Sequence, residues 1–247
     1  LLTVVTAFNY ENDNKSEGRV CMALIGPSLM CADMANLQDS VLRLDQAGVD
    51  FFHIDVMDGK FVPNFTLGPD LIKRIREFTN KPFDVHLMVE KPEDYLNLFI
   101  ESGADMISVH AEATYHLQRT LQTIKDQGLK AGVAINPATP IHDIEYVLDV
   151  VDYITVMTVN PGFAGQKFVP LMNGKLRDLT SLINKCGYKI DIQVDGNIGY
   201  ETIPNVLKNG ANMLVCGTSS LFKQNLPLEE AVAKLKGFIQ ELETNKV

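Results

Sequence analysis

The chain has 247 residues, 46% of them hydrophobic and 21% charged, a composition that fits one large globular domain or two small ones and excludes collagen-like, disordered and membrane-spanning classes. Thirty-one acidic against 22 basic side chains leave a formal charge of −9, so nothing would drive the counterion release on which non-specific nucleic-acid binding depends. The four cysteines, Cys21, Cys31, Cys186 and Cys216, form no CxxC pair, and a chain of this length needs no disulfide staples, which points to a reducing, cytoplasmic setting.

In chain order, Leu1 to Phe8 is a short apolar run with no cationic flank, followed by the polar stretch Glu11 to Arg19. It is too short to cross a bilayer and lacks the pattern of a secretory signal. Met22 directly precedes a strand-like run, so residues 1–21 read as an N-terminal extension, a leader or a remnant, and residues 22–247 as the folded domain. Eight short apolar runs of strand type follow, at Leu24–Met30, Phe51–Met57, Phe83–Met88, Met106–His110, Ala131–Asn136, Tyr153–Val159, Ile190–Asp195 and Met213–Cys216. Between them the spacing is helical, as at Leu37, Val41 and Leu44 ahead of Gly48, and at Tyr95, Leu98 and Phe99 ahead of Gly103, where glycine supplies a left-handed stop. Asp105, Asp152 and Asn212 each introduce the next strand. Strand and helix alternating throughout predict parallel βαβ units. Eight of them at this length predict an α/β fold, a single (β/α)8 TIM barrel, rather than an open doubly wound sheet.

In such barrels chemistry gathers at the C-terminal ends of the strands. Strand side chains alternate, so His53, Asp55 and Met57 share one face of the second strand and His86 and Met88 one face of the third, while Asp195 ends the seventh. Two imidazoles and two carboxylates pointing inward would be costly to desolvate, and a divalent ion removes that cost. The mixed donor set suits Zn²⁺, Mn²⁺, Fe²⁺ or Co²⁺ better than Ca²⁺ or Mg²⁺. The competing reading is that each residue caps a strand end by bonding to a loop. A second signal is three loops of small residues: Asn160 to Gln166 after the sixth strand, Asp195-Gly196-Asn197 after the seventh and Gly217 to Ser220 after the eighth. Such loops leave backbone N–H groups open to a phosphate. The methionines Met30, Met57, Met88 and Met157 lie near the same strand ends, either as core filler or as a water-excluding rim. His110, ending the fourth strand, reads as a loop-bonding residue, and His116 and His142 as solvated helix residues.

Pro27-Ser28-Leu29-Met30, the run from His53 to Gly59, Val62-Pro63-Asn64, His86 to Val89, Met157 to Phe163 and Val194-Asp195-Gly196 together resemble the ribulose-phosphate 3-epimerase family, over Ile25 to Phe222. The resemblance implies a barrel of the ribulose-phosphate-binding type and an isomerase with a sugar-phosphate substrate. It implies one transition ion held by His53, Asp55, His86 and Asp195, with Asp55 and Asp195 as the acid–base pair. It further implies substrate contacts from Ser28 and His86, a phosphate cradle at Gly162, Phe163, Ala164, Gly165, Gly196, Asn197, Gly217 and Thr218, and a cap over the intermediate at Met57, Met88 and Met157. No nucleic acid or membrane partner is expected, and association into a homo-oligomer stays open.

Two positions depart from the pattern, Ala164 and Asn197, where ribulose-phosphate epimerases typically carry glycine. With Ser28 to Cys31 and Gly217 to Ser219 they resemble the D-allulose-6-phosphate 3-epimerase branch more closely. The expected reaction is therefore D-allulose 6-phosphate to D-fructose 6-phosphate, with D-ribulose 5-phosphate to D-xylulose 5-phosphate as the alternative. A lyase of the orotidine-phosphate type would need a lysine where Met57 stands, and a non-catalytic sugar-phosphate binder would have no use for the paired carboxylates.

Overall fold

The structure, a computed structural model, describes residues 23–222 and 225–244; the expected extension over residues 1–21 lies outside them. Eight strands, β1 (Leu24–Pro27), β2 (Phe52–Met57), β3 (Phe83–Met88), β4 (Met106–His110), β5 (Lys130–Ile135), β6 (Tyr153–Met157), β7 (Asp191–Asp195) and β8 (Met213–Cys216), alternate with helices. All pairings are parallel, in the order β1-β8-β7-β6-β5-β4-β3-β2. The ring meets itself where Ser28 bridges His53 and the Asp50 N–H donates to the Ile25 carbonyl. The helices are α1 (Leu37–Gln46), α2 (Pro69–Ile75), α3 (Leu96–Glu101), α4 (Leu117–Asp126), α5 (Met172–Cys186), α6 (Ile203–Lys208) and α7 (Leu228–Thr244). The expected (β/α)8 barrel is the fold the chain adopts. Among the described residues no helix is long and apolar enough to cross a membrane.

Three local expectations need correction. The first strand ends at Pro27, and Leu29–Cys31 is a 3-10 turn rather than strand. In α3 the buried pair is Leu96 and Phe99, with Tyr95 and Leu98 exposed, because Pro92–Asp94 forms a separate 3-10 turn that delays the helix to Leu96. Between β5 and β6 the chain forms a seven-residue 3-10 helix, Ile141–Val147. Its apolar residues Ile141, Ile144 and Val147 recur every third position, which is the 3-10 repeat. Gly48 and Gly103 do take the left-handed conformation after their helices, at φ of 77° and 98°.

The barrel interior is layered, as alternating strands require. Phe51, Met106, Tyr153 and Met213, from the starts of the even strands, form an apolar floor. Next to it on the odd strands come Gly26, Asp84, Gly132 and Gln193. A Cβ on Gly26 would lie 2.1 Å from the Phe51 ring, and one on Gly132 would lie 2.3 Å from Tyr153, so these two glycines make room for the two large floor rings. Asp84 and Gln193 fill the other two positions with polar groups that the site above uses.

At the N-terminal end of the barrel one motif occurs four times. Asp50, Asp105, Asp152 and Asn212, one or two residues before an even strand, each accept through a side-chain oxygen from the N–H of a residue in the preceding odd strand, at 2.8 Å in every case. The partners are Ile25, Phe83, Ala131 and Ile192. Each capping residue also donates its own N–H to that same partner's carbonyl. The three residues expected to introduce strands, Asp105, Asp152 and Asn212, thus clasp the strand before, and Asp50 does the same.

Candidate active site

Strand alternation brings His53 and Asp55 from β2, His86 from β3 and Asp195 from β7 to one place inside the barrel mouth. One donor atom from each lies within 4.8 Å of all the others. His53 Nε2 is 3.4 Å from Asp55 Oδ1 and 3.8 Å from Asp195 Oδ2. His86 Nδ1 is 3.7 Å from Asp55 Oδ1 and 3.6 Å from Asp195 Oδ2. Both imidazoles are fully buried, and these two ring nitrogens have no hydrogen-bond partner. Two orphaned nitrogens converging on two carboxylate oxygens form a donor set that fits a divalent transition ion. The distances are too long for direct hydrogen bonds and leave space between the four atoms.

Burial alone would lower the pKa of His53, yet the charges of Asp55 and Asp84 outweigh it and hold it well above the ordinary histidine value. Burial would likewise raise Asp55, but His53 and His86 hold it well below the usual carboxylate range. The carboxylates thus favour a proton on the imidazoles and the imidazoles favour ionised carboxylates, so a cation at this site would compete with protons for the same atoms.

Each imidazole is also held from behind. Asp84, which the sequence reading missed, is fully buried and accepts from His53 Nδ1 at 2.8 Å, from the Tyr153 hydroxyl at 2.6 Å and from Gln193 Nε2 at 2.6 Å. With its proton held at Nδ1, His53 presents the lone pair of Nε2 to the site. The signal available in sequence was parity, since Asp84 stands two residues before His86 on β3. His110, expected to bond a loop, does so: its Nδ1 lies 3.1 Å from Glu112 Oε2. It also meets His86, Nε2 to Nε2, at 2.9 Å. Burial drops His110 to a pKa of about 4, so it is neutral at physiological pH. His116 and His142 are exposed, as expected.

Above the cluster opens a cleft. Asp55 and Asp195 line its floor, and Met30, Met57, Met88 and Met157 its wall. The Ser28 hydroxyl donates to Asp55 Oδ2 at 2.5 Å. All three small-residue loops line the far end, including Gly162, Phe163, Ala164, Gly165, Gly196, Asn197, Gly217 and Thr218. Gly196 is required there, since at φ 116° a Cβ would lie 2.6 Å from Val159. Asn197 has φ 53°, a left-handed conformation that asparagine tolerates, and its Oδ1 accepts from the Ser219 hydroxyl at 2.6 Å. The loop after β2 closes one side, with Asn64 Nδ2 donating to the Gly162 carbonyl at 2.8 Å. Among the described residues lining the cleft there is no lysine or arginine, so an anion at the far end would be met by backbone and hydroxyl donors.

The sequence pattern of the "Ribulose-phosphate 3 epimerase family" matches residues 24–222, a span that contains every one of these side chains. The chain belongs to that family. Within this epimerase family it is 45% identical over 217 residues to the ribulose-phosphate 3-epimerase of Bacillus subtilis, covering 87% of this chain and 99% of that protein. It is 43% identical over 202 residues to the enzyme of the same name from Escherichia coli K12, covering 81% and 89%. It is 45% identical over 198 residues to the chloroplastic ribulose-5-phosphate-3-epimerase of Arabidopsis thaliana, covering 79% and 70%. Among solved structures, a thiamine phosphate pyrophosphorylase from Pyrococcus furiosus superposes with a TM-score of 0.61 at 14% identity, over 90% of this chain and 96% of that one. That likeness is of fold alone. As a member of the epimerase family the chain is an isomerase, and its substrate class is the sugar phosphates.

Proposed function

We propose that this chain interconverts D-ribulose 5-phosphate and D-xylulose 5-phosphate by inverting C3, with Asp55 and Asp195 as the acid–base pair. The observation that carries the reading is that two carboxylates from β2 and β7, well separated around the ring, meet the same two imidazoles and both line one cleft. Inversion next to a ketone needs a base on each side of a planar intermediate. One carboxylate removes the C3 hydrogen as a proton, leaving an enediolate, and the other, protonated beforehand, gives its proton to the opposite face. Charge balances at each stage, since one aspartate gains the proton that the other loses. A divalent transition ion (Zn²⁺, Mn²⁺, Fe²⁺ or Co²⁺) held by His53, Asp55, His86 and Asp195 supplies the positive charge that makes such a proton removable. Ser28 keeps Asp55 in one orientation. Met57, Met88 and Met157 keep water from the enediolate, which would otherwise be reprotonated without facial control. The phosphate, bound at the Gly162–Gly165, Gly196–Asn197 and Gly217–Thr218 loops, anchors the substrate away from the reacting carbon and orients it. On this reading the barrel, expected over residues 22–247, is one catalytic domain.

The pentulose phosphate takes precedence over D-allulose 6-phosphate, reversing the expectation drawn from Ala164 and Asn197. The hexulose places its phosphate one carbon further from C3 and needs a longer cleft. Both substitutions put a side chain where the family pattern has glycine, so they add atoms to the cradle rather than room. Asn197 also keeps the left-handed backbone that glycine would take. The relatives named above, ribulose-phosphate 3-epimerases, point the same way. Steady-state assays with both sugars should give a kcat/KM for D-ribulose 5-phosphate at least about 10-fold higher, since one misfitted carbon is worth about 1 to 3 kcal/mol. A preference for the hexulose would refute the substrate assignment. Asp55→Asn and Asp195→Asn should each abolish net epimerisation while one of the two epimers still exchanges its C3 hydrogen with solvent. Equal exchange into both epimers by either variant would refute the two-base assignment.

A further inference from the structure

His86 reaches the cation site only through Nδ1, because its Nε2 is engaged by His110 Nε2 at 2.9 Å. Two ring nitrogens at that distance share one proton, so one donates and the other accepts. An Nδ1 that offers its lone pair to an ion leaves the ring proton on Nε2. His86 therefore donates and His110 Nε2 accepts. His110 must then carry its own proton on Nδ1, which faces Glu112 Oε2 at 3.1 Å. An ionised carboxylate only accepts, so the line of bonds has one allowed direction, from His86 outward to Glu112.

The far end of this line is firmly held. The other oxygen of Glu112 accepts from the Asn136 N–H at 2.9 Å and from the Thr139 hydroxyl. The turn that carries those two residues is clamped in turn by Lys175, whose ammonium donates to the carbonyls of Asn136, Pro137 and Thr139 at 2.7 to 2.8 Å. Phe61 packs against the His110 ring, tilted by 47° with centroids 4.7 Å apart, which limits rotation of that imidazole.

We propose that Glu112 is a positioning residue which, through His110, fixes the tautomer and orientation of His86 so that Nδ1 faces the cation site. The inference rests on the metal reading given above. It makes the supports of the two histidines independent: His53 is oriented by Asp84 directly, and His86 by a two-step line that ends near the surface.

The test compares zinc affinity, by competition with a chromogenic chelator, in the native protein and in variants, together with long-range ¹H–¹⁵N spectra of the imidazoles in the zinc-loaded form. Glu112→Ala and His110→Phe should each weaken zinc binding about 10- to 100-fold. Glu112→Gln keeps an amide oxygen for His110 Nδ1 only by setting its NH2 against the Asn136 N–H, so it should bind zinc more tightly than Glu112→Ala and more weakly than the native protein. Thr139→Val, which removes a partner of Glu112 without touching His110, should bind as the native protein does, so loss there would assign the effect to the turn and overturn the proposal. In the native spectrum His110 should appear as the Nδ1–H tautomer, and in Glu112→Ala this signature should be lost. Native zinc affinity in both Glu112→Ala and His110→Phe, or a native His110 carrying its proton on Nε2, would overturn the inference alone. A native protein that takes up no zinc would overturn the metal reading as well.

Discussion

Asp84→Asn separates the two tasks that a buried carboxylate beneath a metal histidine can perform. Asp84 is fully buried and accepts three hydrogen bonds at 2.6 to 2.8 Å, from His53, Tyr153 and Gln193. Asparagine turns one of its two oxygens into a double donor. The amide fits one way round: its oxygen toward His53 and Gln193, its NH2 toward the Tyr153 hydroxyl, which can rotate to accept. All three contacts persist, each weakened by about 1 kcal/mol as a charge-assisted bond becomes a neutral one. Against that gross loss of about 3 kcal/mol stands the several kcal/mol saved by no longer burying an ionised carboxylate, so the metal-free protein should change by less than about 2 kcal/mol. The loss should appear in zinc affinity, about 10- to 100-fold, because His53 is then oriented by a weaker acceptor. Asp84→Ala is the contrasting variant. It orphans three buried donors at about 1 to 3 kcal/mol each, comparable to the roughly 5–15 kcal/mol that holds a domain folded. Chelator competition and denaturant unfolding of the metal-free form give the two numbers. An Asp84→Asn protein with native zinc affinity and several kcal/mol less stability would refute the orienting role and leave Asp84 a purely structural residue.

Two further outcomes follow from the packing and from the loop after β2. Gly132→Ala should cost about 1–3 kcal/mol in denaturant unfolding, since its Cβ would lie 2.3 Å from the buried Tyr153 ring; Gly237→Ala, in α7 with nothing near its Cβ, should instead stabilise by about 0.5–1 kcal/mol, and equal effects would contradict the layered interior. Asp58 accepts from the backbone N–H groups of Lys60, Phe61 and Glu90 at 2.8 to 3.0 Å. Partial burial would raise its pKa, but these bonds hold it below the usual carboxylate range. A depressed folded pKa means stability present above the unfolded value near 3.9 and lost as pH falls through the folded one, so Asp58→Asn should cost about 1–2 kcal/mol at pH 7 and progressively less below pH 4. A gap that stays constant from pH 7 to pH 3 would show that the ionised form contributes nothing.

The middle of every strand was legible because buried parallel strands read as apolar runs, and the four candidate ligands because period-two alternation puts them inside. The ends were not. Leu29 to Met30 is as apolar as the strand before it, yet the ladder with β8 stops at Pro27, Ser28 bridges His53 on β2, and a 3-10 turn follows. Asp84 shares the parity of His86, but its worth depends on Tyr153 and Gln193, 69 and 109 residues away along the chain. His110 and Glu112 are local to one another, yet their link to His86 crosses from β4 to β3 and depends on ring orientation. The substrate reading turns on a different kind of limit. Ala164 and Asn197 differ in residue type from the glycines of the family pattern, but the left-handed backbone that Asn197 shares with glycine, at φ 53°, is visible only in the fold.

The four clasps at the base of the barrel join residues only 20 to 25 positions apart, one within each of the pairs β1–β2, β3–β4, β5–β6 and β7–β8. Each pair with its intervening segment is therefore a module that can close on itself before the ring is complete, at a small loop-closure cost. The joints between modules fall in the stretches that carry α2, α4 and α5. A circular permutant opened at one of those joints keeps all four clasps local, whereas one opened between β1 and β2 or between β5 and β6 turns a clasp into a long-range contact between its two ends. The barrel thus has preferred places to be cut, and they alternate around its circumference.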